Sequence, residues 1–134
     1  MPKKPKPSEL ELQVLSVLWE KGPSTVREVR AAMPDGKERA YTSMLSVMQV
    51  MEKKGLVGHD VRGRTHVYRP AVTRKQMLGP MLRGLVKNVF GGSTATAVQH
   101  LLRETSVSGE ELDEIRTLLR EQEEGHRQAG GART

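Results

Sequence analysis

Between Arg39 and Lys53 the chain carries Thr42, Ser43, Ser46 and Gln49 at spacings that share one side of a helix, with almost no carboxylate beside them. These groups suit one kind of chemistry. Ser and Thr hydroxyls donate or accept, a Thr methyl packs on a thymine methyl, and Gln bridges adenine with two hydrogen bonds. Arg39 at the start and Lys53 near the end suit phosphates at the walls of a groove. A solvated helix face normally mixes Glu with Lys; the plainer alternative is an exposed face that merely lacks Glu. Tyr41, Met44, Leu45, Met48 and Met51 recur at i, i+3, i+4 and i+7, so they form a buried stripe on the other side.

A second candidate is Arg62-Gly63-Arg64, two arginines flanking a glycine between β-prone runs. At a tight turn they reach a phosphate or the minor groove, unless they are simply solvated. Lys3, Lys4 and Lys6 offer a flexible arm along a backbone or are simply an ordinary basic terminus. Other chemistry is poorly supplied. The four histidines lack cysteine partners and helical i, i+4 spacing, so no metal constellation forms, and His59 and His66 read as hairpin surface residues. There is no Ser/His/Asp order, no H-E-x-x-H and no Gly-rich phosphate loop, so neither catalytic residue nor cofactor is expected. Glu110, Glu111, Asp113 and Glu114 read as a capped helix start rather than a catalytic cluster.

These residues need a scaffold, and 134 residues allow one domain or a small domain with an appended segment. With one Trp, two Tyr and one Phe against seven Met, helix packing is favoured over a large sheet. Thirteen basic and eight acidic residues lie from Met1 to Val72, net +5, whereas 73–124 is net −1. Positive charge concentrated in one segment points that segment at a polyanion, the alternative being a generally basic soluble protein. The absence of cysteine excludes disulfides and thiolate sites. The start "MPKKPKPSEL" is basic without an apolar run, and no stretch nears the roughly 18 to 20 apolar residues of a membrane span, so a cytoplasmic protein without membrane insertion is expected.

Residues 1–7 form a Lys/Pro arm expected to be disordered. Ser8 and Glu11 make a capping box opening a first helix, with Leu10, Val14, Leu15, Val17 and Leu18 inward and Gly22-Pro23 as its stop. Thr25 and Glu28 open a second helix carrying Val26, Val29 and Met33, and Pro34-Asp35-Gly36 ends it. The third helix is the one described above, closed by Gly55. Runs at Leu56–Val61 and Thr65–Tyr68 then make a β-hairpin. Three helices and a hairpin over 8–72 describe a winged helix-turn-helix, in which the third helix enters the major groove.

From Thr73 the pattern is helical only. Leu78, Leu82, Leu85, Val86, Val89 and Phe90, with Met77 and Met81, make a dense stripe; Gly79-Pro80 predicts a kink or a late start. Ser93 caps a short helix with Val98, Leu101 and Leu102. Ser108 and Glu111 open another with Leu112, Ile115, Leu118 and Leu119. Residues 125–134 are expected to fray into a disordered tail. A 73–124 segment of this size is below what usually folds alone. Its apolar face either folds back on the first domain or pairs with a second copy, and helix stripes of this kind favour symmetric pairing. The expectation is a mostly α, DNA-binding homodimer; a winged-helix module that docks proteins without specific DNA binding is the alternative.

The stretches "LELQVLSVLWEKGPSTVREV", "AYTSMLSVMQVMEKKGLV", "RGRTHVYRPAVT" and "VFGGS" together resemble the BlaI/MecI-type penicillinase repressor family, which includes the CopY repressors, from about Ser8 to Glu121. The resemblance implies a winged helix on palindromic operator DNA and C-terminal helices that hold a dimer. Family contacts would map onto Tyr41, Thr42 and Ser43 in the recognition helix and onto the Arg62 to Arg64 turn. Two departures matter. A C-terminal cysteine cluster senses metal in CopY-type members, and this chain has no cysteine. The Asn-Phe bond cut in β-lactam-responsive members falls near His100-Leu101, and Asn88 precedes Val89, so induction by a membrane sensor-protease is left open.

Overall fold

A computed structural model describes residues 6–132. The elements run α1 (Glu9–Lys21), α2 (Val26–Ala31), α3 (Tyr41–Lys53), β1 (Val57–Arg62), β2 (Thr65–Pro70), α4 (Arg74–Asn88), α5 (Thr94–Glu104) and α6 (Gly109–Ala132). Two compact units divide at Arg83/Gly84, inside α4 and later than the expected Val72 boundary. Most of the basic arm, with Lys3 and Lys4, lies outside the described residues; Lys6 and Pro7 precede α1 without regular structure.

Local chemistry starts the first helices where the spacing predicts. Ser8 N–H donates to Glu11 Oε1 at 2.8 Å while Ser8 Oγ accepts from Glu11 N–H at 3.1 Å. Thr25 and Glu28 repeat this reciprocal cap on α2. Each box satisfies N–H groups that a helix start otherwise leaves open. Val14, Leu15, Val17 and Leu18 of α1, Val26 and Val29 of α2, Met33, and Met44, Met48 and Met51 of α3 build one core, completed by Leu56, Val57, Tyr68 and Val72. Tyr41 is a correction: at 42% exposure it leaves the buried stripe and stands outward at the first turn of α3.

The hairpin is antiparallel and longer than expected. Arg62 pairs with Thr65, so the turn contracts to Gly63-Arg64. Gly63 takes φ 64° while Arg64 does not go positive, the pattern of a type II′ turn matched to strand twist. Ser24 adds a bridge that the sequence pattern did not reveal, its N–H donating to Tyr68 O at 2.9 Å and its O accepting from Tyr68 N–H at 2.8 Å. The wing is thereby stitched to the α1–α2 connection, as a lone two-stranded hairpin must be to persist in water.

α4 begins at Arg74 behind a reciprocal Thr73/Gln76 cap and runs through Pro80, so it has no late start. Its first turns belong to the first unit: Met77 packs on the core, and the Trp19 indole N–H donates to Val72 O at 2.9 Å. In the second unit Gly91 and Gly92, both at positive φ, close α4. Ser93 Oγ caps α5 by accepting from Thr96 N–H at 3.0 Å, and Phe90 lies 5.3 Å from the His100 ring. The expected tail is a second correction, because α6 continues to Ala132. The physical reason is composition: Glu121, Gln122, Glu123, Glu124, Arg127, Gln128 and Ala129 are helix-tolerant enough to carry the helix past Gly125. Among the described residues no helix is long and apolar enough to cross a membrane, and no group of three His, Cys, Asp or Glu could hold a metal.

Candidate nucleic-acid interface

Because Met44, Met48 and Met51 hold one side of α3 in the core, Thr42, Ser43, Ser46, Gln49 and Lys53 stand exposed on the other sides. That answers the question of orientation in favour of an outward polar face. α3 also differs from α1 and α2 at its start: Ala40 supplies no side-chain cap, and the first turn holds no carboxylate.

Arg39 behaves differently from its expected role. Its guanidinium grips Asp35 with two bonds of 3.0 and 2.6 Å, and Arg30 Nε–H donates to its carbonyl oxygen. Asp35 also accepts from Lys37 N–H at 3.0 Å. The Arg39 guanidinium, then the Lys37 N–H, hold the Asp35 carboxyl far below the usual carboxylate range. The pair pins the α2–α3 turn and so sets how α3 is presented; the i, i+4 spacing of Asp35 and Arg39 was visible, but its use inside a turn was not.

At the other end of α3, Lys54 Nζ donates to both Glu11 oxygens at 2.9 and 3.0 Å, tying α3 to α1. Burial pushes the Glu11 carboxyl up, but the Ser8 N–H and the Lys54 ammonium together outweigh it and leave the group below its ordinary value. Lys53 stays on the outer surface.

The wing carries Arg62 and Arg64 exposed at its tip. His59 is half-buried rather than a plain surface residue. Its Nδ1 lies 2.7 and 2.8 Å from the Glu52 oxygens, and its ring stacks on His66 at 4.5 Å and 16° and lies 5.4 Å from Tyr68. Glu52 therefore tethers the wing to α3. Between them opens a cleft of ≈ 520 Å³ lined by Thr25, Val26, Arg27, Tyr41, Leu45, Gln49, Arg64, Thr65 and His66. Arg27, overlooked in the sequence, lies 5.6 Å from the Tyr41 ring centroid, a cation–π geometry. Its outward place on α2, between inward Val26 and Val29, was the available signal.

The residues assigned to association are poorly covered within the chain. Leu82, Leu85, Val89, Leu101, Leu112 and Leu119 are exposed, as are Met81, Val98, Leu102 and Leu118. Leu78, Val86, Phe90 and Ile115 are half-buried, and neither α4 nor α5 buries any residue fully. So many exposed large apolar groups exceed the scattered ones that need no explanation.

The family model described as Penicillinase repressor matches residues 7–121. The chain belongs to the penicillinase repressor family. This penicillinase repressor family member is 35% identical over 130 residues to the transcriptional regulator BlaI of Mycobacterium tuberculosis (strain CDC 1551 / Oshkosh), covering 94% of this chain and 93% of that protein. It is 25% identical over 121 residues to the penicillinase repressor of Bacillus licheniformis, covering 90% and 94%. A solution structure of monomeric Bacillus licheniformis BlaI with the blaP half-operator aligns at TM-score 0.47 and 26% identity, over 57% of this chain and 93% of that one. The relatives are named as a transcriptional regulator and a repressor, not as enzymes.

Proposed function

We propose that this family member is a homodimeric, sequence-specific transcriptional repressor that binds a palindromic operator in the cytoplasm. The observation that carries the proposal is the exposed, carboxylate-poor face of α3 beside a wing tipped with Arg62 and Arg64. In this reading α3 lies in the major groove, where Thr42, Ser43, Ser46 and Gln49 read base edges, each good contact being worth roughly 1–3 kcal/mol. Tyr41, exposed at the first turn, belongs to the same face. Lys53 and the wing arginines contact phosphate, and their counterion release makes affinity fall steeply with salt. Arg39 contributes by fixing the turn ahead of α3 rather than by a free charge.

The exposed leucines of α4, α5 and α6 support a symmetric partner, which would set two α3 helices about one helical turn apart on the duplex. Operator occupancy represses, and any agent that separates the protomers relieves repression. His100 and Leu101, exposed on α5, stand within that apolar region. The test is operator binding by the full chain, measured against a scrambled duplex across a salt series, with sedimentation at the same concentrations. Expected are a dimer, preference for the operator and a negative salt slope. Indifference to every duplex would overturn the reading, and a strictly monomeric operator complex would remove the dimer from it.

A further inference from the structure

We propose that the cleft between α2, α3 and β2 seats one backbone phosphate of the duplex, held by Arg27 from the helical wall and Arg64 from the wing. The inference rests on the repressor reading above and adds a site to it. A duplex that puts its major groove on α3 and its minor groove under the wing must run the strand separating those grooves between the two elements. The cleft lies on that path, and its ≈ 520 Å³ accommodates a phosphodiester group with its flanking atoms.

Its walls suit an anion. Arg27 and Arg64 line it, with Gln49 and Thr65 as neutral donors, and no carboxylate is among the lining residues. Three cations of the same unit outside the cleft are already matched, Arg39 with Asp35, Lys54 with Glu11 and Arg69 with Asp60. Among the described residues, neither Arg27 nor Arg64 takes part in an ion pair. Arg27 is exposed, and the Tyr41 ring holds its guanidinium at the cleft, lowering the ordering cost of a charged contact. The opposite wall is also set in advance, because the Glu52 contact and the stacked imidazoles fix the wing against α3.

The experiment uses the full-length protein with Arg27→Ala, Arg27→Lys and Arg64→Ala, operator and random duplexes, a salt series, and phosphate ethylation interference. Arg27→Ala is expected to weaken both duplexes by a similar factor and to flatten the log–log salt slope by about 1. Ethylation of one phosphate per half-site, between the groove edge under α3 and the wing, should hinder the wild type strongly and Arg27→Ala less. Arg64→Ala should weaken interference at that same phosphate in the same way, and Arg27→Lys should keep it. An unchanged slope and interference pattern in Arg27→Ala overturns the phosphate seat while leaving the repressor reading intact. So does a loss in Arg27→Ala and Arg27→Lys alike that is confined to the operator, because Arg27 would then act only through Tyr41. A wild type without affinity for any duplex overturns both. The two cleft arginines are exposed on different elements, so matching thermal melts separate a lost contact from a lost fold.

Discussion

Two substitutions six positions apart on α3 should have opposite consequences, because Met48 is wholly buried and Thr42 is exposed. Met48→Ala removes the side chain beyond Cβ from a core shared with Met44 and Met51. Truncations of this kind cost about 2–5 kcal/mol, out of a total stability of roughly 5–15 kcal/mol. For a unit of this size the melting temperature should fall on the order of 10–30 °C. Thr42→Ala leaves no cavity, so stability should stay within about 0.5 kcal/mol. Its cost should appear in recognition: a lost base contact of about 1–3 kcal/mol is roughly a 5- to 150-fold smaller preference for operator over random DNA. Denaturant titration gives the first quantity, and fluorescence anisotropy with operator and scrambled duplexes gives the second. The reasoning fails if Thr42→Ala costs more than about 1 kcal/mol of stability. It also fails if operator and random affinities fall by the same factor, since the outward face would then not read bases.

Lys54→Met should destabilise by about 1–2 kcal/mol at neutral pH, below the range for a fully buried pair because Lys54 is partly exposed. Glu11 titrates lower in the fold than its ordinary value, so its contribution is present above about pH 4.5 and disappears as pH falls through the depressed folded value. Denaturant midpoints taken from pH 7 down to pH 3 should therefore drop less in Lys54→Met than in the wild type; an identical drop would refute the assignment. Replacing Leu82 and Leu85 together by Glu should convert the proposed dimer to monomer in sedimentation and sharply weaken binding to a full palindrome, with single half-site binding preserved. An unaltered oligomeric state would contradict the role given to α4. Glu52→Ala should reduce operator affinity several-fold with under about 1 kcal/mol lost in thermal unfolding, since it removes the side-chain tether between α3 and His59 of the wing. Undiminished affinity would show that the tether is dispensable.

The family resemblance, read over Ser8 to Glu121, coincides with the family match over residues 7–121. The boundary inside α4 is not marked in the sequence. The change in character at Thr73 is real in composition, yet Met77 packs on the first unit's core, so the division between units falls at Arg83/Gly84.

What the chain announced by itself was governed by short-range physics. Capping boxes join residues three apart, glycines stop helices through backbone freedom, and the 3.6-residue period separates the Met face of α3 from its hydroxyl face. Tertiary structure alone decided which charges remain available. Lys54 meets Glu11 across 43 positions and Trp19 meets Val72 across 53. Arg27 and Arg64, distant in sequence, face one cleft. No periodicity encodes such meetings, because they depend on how separate elements pack; a cation's partner is chosen by distance in space and not by position along the chain.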